Sequence, residues 1–298
     1  MAGDAYYASV SLLLHGDGAN GSTTFTDSSP TPKTVTRTNA VISTAQSKFG
    51  GSSAYFDGTG DYLSSASNTA FDFPGDFTID FQVRIPSLAG DKYVINRKLL
   101  TGAPVSGDWA ININGTTGQV CLYTTVANNF TFASGNLAID TWYHIAIVRS
   151  GTSVFAFKDG VKSTNSFTIS TNFTTARTLE IGRWDTVPNV MTGYLDEIRI
   201  TKGVARWTAD FTAPTAAHVN GMGQVAGVVR DASGTPCART VRAYRRDTGA
   251  FAGSAVSDSG TGVYSIDCPT LDEVSVVALD DAVSGTYYND QAARVIPA

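Results

Sequence analysis

Charged side chains are scarce in this sequence, at 16% of its 298 residues. Lys and Glu normally cover the exposed faces of helices, so a largely helical fold is disfavoured from the start. A basic surface is lacking as well. Twenty-one Lys and Arg stand against 26 Asp and Glu, a formal charge of -5, and phosphate neutralisation needs the opposite balance, so nucleic acid is not an expected partner. No apolar run approaches the roughly 20 residues that cross a bilayer, which argues against membrane insertion. The apolar patch at 10–14 has no Lys or Arg before it and is too short for a signal sequence of the usual kind, so the chain is expected to be made in the cytoplasm or exported by a route it does not encode. Cys121, Cys237 and Cys268 cannot all pair and show no C-x-x-C spacing. That excludes an ordinary zinc site and leaves Cys237 with Cys268 as the one intradomain bridge to weigh against free thiols. Three histidines, His15, His144 and His218, accompany no nucleophile elbow, and no phosphate-loop or dinucleotide fingerprint occurs. His144, inside a strand pattern, is expected to be a satisfied strand residue.

What fills the chain instead is Gly, Ser, Thr, Asn and aromatics, a composition of β-proteins. Apolar and polar residues alternate over 76–85, 92–99, 109–114, 119–125, 142–150, 153–160, 177–184 and 194–200, with turn residues between, and no stretch of helical length carries a sustained apolar stripe. In the phrase FKDGV, Asp159 and Gly160 suit the positive φ angles of a type I′ hairpin. The pattern predicts an all-β chain whose larger part is a sandwich of two antiparallel sheets. A texture change at FTAPTAAHVNGMG marks a linker, and the length suits two domains. The expected division is an arm at 1–8, a large sandwich at 9–213, a linker at 214–222 and a smaller immunoglobulin-like sandwich at 223–298, without the Cys…Trp…Cys pattern of antibody domains.

The phrases FGGSSAYFDGTGDYLS, DFTIDFQVRI, TWYHIAIVRSGTSVFAFKDGV, LEIGRW and GYLDEIRITKGVAR occur in that order. As an ordered set they resemble the laminin G-like, or concanavalin A-like, jelly-roll family over roughly 9–213. The stretches LLLHGDGANGSTTFTDSSPTPKTV and KGVARWTADFTAPTA resemble the version of that domain found in bacteriophage virion and tail proteins. The C-terminal part resembles the carboxypeptidase-regulatory or transthyretin-like sandwich, also common on phage particles. These resemblances imply a non-enzymatic virion protein, made in the host cytoplasm and carried on the particle exterior as a tail or capsid-decorating component. Its implied partners are other virion proteins and host cell-surface polysaccharide, with the chain multicopy or homo-oligomeric on the particle. A decoration protein with no ligand, and a secreted or cell-surface carbohydrate-binding adhesin, are the alternatives.

The strand phrase YLDEIRI poses the sharpest chemical question. On a regular strand neighbours point to opposite faces, so Asp196 and Glu197 are not expected to act as a catalytic pair. Concanavalin A-like glucanases, which the chain resembles, carry Glu-x-Asp-x-x-Glu on one strand; LEIGRWD has Gly182 where the central acid would lie. Regular alternation pairs Glu197 with Arg199 in solvent and sets Asp196 on the face of Tyr194, Ile198 and Ile200, where a buried carboxylate needs backbone N–H groups, an Arg or a hard cation. A structural calcium would draw on Asp17 and Asp27, with Asn20, from the N-terminal loop, beside Asp196. The family resemblance implies that the first and last strands lie side by side. The same acids also suit turns that bond their own backbone, and both readings stand. For a saccharide, aromatic faces with amide and charged groups at loop tips are the chemistry to seek. Arg183, Trp184, Asp185 and Asn189 offer it in one loop, with Trp109 and Tyr123 as further candidates; the competing role for Trp184 is to plug the sandwich end.

Overall fold

A computed structural model describes residues 4–97, 105–125, 128–184, 190–219, 221, 223–231, 233–246, 249–268, 274–279 and 290–295. The chain divides into two compact units, Ser9–His218, and Val219–Ala298 together with Met1–Ala8. Residues 214–218, expected in the linker, thus belong to the larger unit. The reason is local: His218 inserts its ring and backbone among buried acids of that unit, as described below.

In the larger unit the alternating phrases become two antiparallel sheets. One has nine strands, with Trp142–Ser150, Phe77–Arg84, Thr192–Lys202 and Ser53–Asp57 side by side at its centre and Val10–Leu14 paired to Thr192–Lys202. The other has seven, in the order Asn128–Thr131, Val120–Thr125, Trp109–Ile113, Lys92–Arg97, Leu179–Ile181, Tyr62–Ser65, Thr36–Thr38. Alternate residues of both sheets enter one core. Phe77, Ile79, Phe81 and Val83 come from the first; Trp109, Ile111, Ile113, Val120 and Leu122 come from the second. Each such side chain contributes roughly 1.5–3 kcal/mol on burial, so the core dominates the unit's stability.

The outer face of the nine-stranded sheet is not left to solvent. Residues 203–218 run back across it as a strap, and Trp207 and Phe211, stacked at 3.9 Å, cover Ala146, Val148, Phe155 and Phe157. The strap docks at the hairpin anticipated from FKDGV. Asp159 and Gly160 take φ of 50° and 82°, and the Phe211 N–H donates to the Gly160 carbonyl at 2.9 Å. A Cβ on Gly160 would fall 1.9 Å from the Phe211 carbonyl oxygen, so both the turn and the strap require glycine.

The smaller unit holds a two-stranded sheet, Gly223–Val228 with Val263–Cys268, and a four-stranded one in the order Phe251–Val256, Thr240–Arg245, Val274–Leu279, Asp290–Val295. Strict alternation along Val263–Cys268 buries Tyr264, Ile266 and Cys268 with Val225, Val241, Ala243, Val274 and Val276 in a core of their own. All three cysteines are free thiols.

Candidate functional site

Two concentrations of polar chemistry stand out in the larger unit. The first is the seam around Asp196 and Glu197, where the strand is not regular. Asp196 pairs with Gln82 and Arg199 with Asp80, so Glu197 and Ile198 together oppose Phe81. Glu197 takes φ of 50°, the mark of a bulge. The core therefore receives Leu195, Ile198 and Ile200, a three-residue step followed by a two-residue one. The expectation from alternation fails here. Asp196 does not share the core face of Ile198 and Ile200, and both acids are buried, each 1% exposed. Nor does Glu197 meet Arg199 in solvent. Its carboxylate accepts from the His218 backbone N–H at 2.7 Å and meets His15 Nδ1 at 2.9 Å.

Arg199 instead grips Asp80 through two hydrogen bonds of 3.0 and 2.9 Å. His144 Nε2 and His218 Nε2 approach the same Asp80 carboxylate at 3.3 and 3.2 Å. All three histidines of the sequence thus serve two buried carboxylates. Burial pushes the Asp80 carboxyl up, but Arg199 and the two imidazoles outweigh it and hold it well below the usual range. Burial pushes His218 down, seconded by the Arg199 charge. Asp196 differs. Burial pushes it up to about 7, against hydrogen bonds from the N–H groups of Phe49 and Lys48 and with repulsion from Glu197 and Asp17 adding to the rise.

Of the partners open to Asp196, the structure shows backbone N–H groups: Lys48 and Phe49 donate to one oxygen at 2.8 and 3.1 Å. Asp27 is filled in the same way by the N–H groups of Leu13, Ser29 and Lys33 and the Ser29 hydroxyl, at 2.7–3.0 Å. Asp17 lies against Gly50, while Asn20 accepts from the Thr44 N–H at 3.1 Å. Among the described residues no group of three or more His, Cys, Asp or Glu is disposed to hold a metal ion.

The second concentration lies on the outer face of the seven-stranded sheet. Residues that alternate with the core-facing ones line up across neighbouring strands, Tyr93 with Asn112 and Cys121, and Tyr123 with Ala110, Asn96, Glu180 and Ser64. Beyond Ile181 the chain turns at Gly182, φ 96°, whose missing Cβ would stand 2.5 Å from the Phe56 ring. The position where glucanase-like sequences suggested an absent acid is a turn that needs glycine. That turn carries Arg183 and Trp184 back toward the sheet. Trp184 packs its ring 4.7 Å from Tyr93 and 5.5 Å from Tyr123. Arg183 donates to both Glu180 oxygens at 2.7 and 2.6 Å and lies 3.4 Å above the Tyr62 ring. Burial would lower the Arg183 pKa, but Glu180 more than offsets it and raises it. Beside them Asn96 and Asn112 are wholly buried. Both amide atoms of Asn112 and the carbonyl oxygen of Asn96 have no hydrogen-bond partner. The aromatic faces match the C–H faces of a sugar ring.

The structure thus brings together Arg183, Trp184 and Tyr123 from the sequence candidates. It removes Trp109, which is 1% exposed and packs against Phe73 in the core, because its strand position is an inward one. Asp185 and Asn189 lie outside the described residues. Tyr93, Glu180, Asn96 and Asn112 were missed; each sits mid-strand, and only the cross-strand register shows that they meet.

Residues 57–208 match the family model of the concanavalin A-like lectin/glucanases superfamily, of laminin G type. No curated protein matches the sequence. Among solved structures, domain 4 of AbnA, an extracellular arabinanase from Geobacillus stearothermophilus in complex with arabinotriose, aligns with a TM-score of 0.52 at 15% identity, over 66% of this chain and 93% of that one. The sialidase of Trypanosoma rangeli aligns at 0.47 and 14%, over 65% and 30% of the two chains. The binding domain of botulinum neurotoxin DC in complex with SialylT aligns at 0.46 and 12%, over 95% and 74%. The likeness to the arabinanase domain is one of fold. This chain spans under a third of the sialidase.

Proposed function

The chain belongs to the concanavalin A-like lectin/glucanase superfamily, and from that premise we propose that it is a non-enzymatic glycan-binding protein of a tailed-phage particle. The observation that carries the binding role is the cluster of Tyr93, Tyr123 and Trp184 on the outer face of the seven-stranded sheet, beside Asn96, Asn112 and the Glu180–Arg183 pair. A shared fold with an arabinanase domain held with arabinotriose is in keeping with a saccharide ligand. The non-catalytic reading rests on the acids. Glu180 gives both oxygens to Arg183, Glu197 gives both to His15 and the His218 N–H, and Asp196 is 1% exposed with one oxygen held by the Lys48 and Phe49 N–H groups, so none of the three is presented to solvent as the acid and base that glycoside hydrolysis uses. The phage assignment rests on the sequence phrases at 12–35 and 202–216. In this reading the smaller unit, with its two- and four-stranded sheets, is the immunoglobulin-like module, and the protein sits in many copies on the particle exterior among other virion proteins.

The test is binding of the purified, labelled full chain to intact candidate host bacteria, competed with their extracted surface polysaccharide. Saturable binding that the polysaccharide displaces, weakened at least about tenfold by Trp184→Ala, is the expected result. Binding that the substitution leaves unchanged removes the aromatic face from the reading.

A further inference from the structure

We infer that the aromatic face selects neutral saccharides, and that Glu180 is the residue that makes it do so; this rests on the glycan-binding reading above. A site for sialic or uronic acids needs a cation whose charge is available to the ligand carboxylate. Arg183 is the cation beside Trp184, and its charge is consumed. Both Glu180 oxygens lie 2.6–2.7 Å from its guanidinium, Glu180 is 2% exposed, and one face of the guanidinium is covered by the Tyr62 ring at 3.4 Å. Lys92, next along the chain to Tyr93, is 3% exposed, and its ammonium donates to the carbonyls of Ala89 and Gly90. What the described residues present beside Arg183 is uncharged: the rings of Tyr93, Tyr123 and Trp184, with the amides of Asn96 and Asn112 enclosed and the Ser64 hydroxyl shared with Thr36.

An enclosed amide without a partner marks ground already stripped of water. An anionic sugar brought against these rings would lose hydration and find no ion among the described residues to replace it, whereas a neutral sugar sets its C–H faces on the rings and keeps its outward hydroxyls in water. Glu180 therefore works as a specificity residue. It turns Arg183 from an anion receptor into a neutral, flat wall of the site.

The test is titration of the full chain with neutral oligosaccharides and with sialylated and uronic-acid oligosaccharides of equal length, at low and high salt. The expected result is binding of neutral sugars that salt does not change, with acidic ones at least about tenfold weaker. Glu180→Gln, which keeps shape but releases Arg183, is expected to gain binding of acidic sugars by about tenfold or more at low salt, and to lose that gain at high salt. Equal or tighter binding of acidic sugars by the unaltered chain, falling as salt rises and abolished by Trp184→Ala, overturns the selectivity and leaves glycan binding standing. Absence of binding to any saccharide, or binding that Trp184→Ala does not touch, overturns both. Should Glu180→Gln fail to fold, the neutral-against-acidic comparison on the unaltered chain still decides.

Discussion

Glu197 holds a left-handed backbone conformation that few side chains adopt, and it holds it inside a strand while buried. Its compensation is that both oxygens are used, one by His15 and one by the His218 N–H. Its neighbour Asp196 carries the opposite sign of effect. Because its folded pKa stands at about 7 against 3.8 for the ordinary group, the folded state holds a proton there that the unfolded state has released. That contribution to stability is complete in acid below the ordinary value and is lost as pH rises through the folded one. Asp196→Asn keeps an oxygen for the Lys48 and Phe49 N–H groups and has no proton to lose. The variant is expected to melt higher than the unaltered chain at pH 8, with the difference shrinking toward pH 4; thermal melts across that range check it. A difference that grows toward acid would contradict the assignment.

The strands show which parts of the fold could be read from the amino-acid order. Phe77–Arg84, Trp142–Ser150 and Ser153–Lys158 fall within a residue or two of the alternating phrases, because each buries one face and alternation records that directly. The Asp159–Gly160 turn was legible for an equally local reason. The bulge at Glu197 was not, since it is defined by two residues facing one on a partner strand, and the order of one strand carries no trace of its partner's register. The aromatic face was hidden in the same way: Trp184 and Arg183 announced themselves as a loop, whereas Tyr93, Asn112 and Glu180 read as ordinary strand positions until the sheet aligned them. At the hairpin, Gly160→Ala is expected to cost about 1–3 kcal/mol from the positive φ alone, more where the new methyl meets Phe211. Urea denaturation measures it. The same exchange at Gly51, φ 85° but with nothing within 4 Å of the new Cβ, is expected to cost less, which separates the strap contact from the backbone effect.

Among the described residues the larger unit holds a central core and a smaller cluster under the strap, the smaller unit holds a core of its own, and no residue is shared between the two units' cores. Each core can sustain its own cooperative transition. Scanning calorimetry is expected to resolve two transitions, and Asp196→Asn to move only the one of larger enthalpy, which belongs to the larger unit. A single transition displaced as a whole would show that the units melt together. Glu197 ties the start of the larger unit, at His15, to its end, at His218. A ribosome emits Val10–Leu14 among the first segments of the larger unit, yet the strand it pairs with, Thr192–Lys202, and the residue that closes the seam come at that unit's end. All five residues of that first strand are buried in the finished unit, so during synthesis its four apolar side chains wait, unpaired, for nearly the whole unit to be made. Val10–Leu14 is therefore the stretch of the nascent chain most in need of a chaperone's grip, and the yield of folded protein should depend on how well the producing cell supplies one.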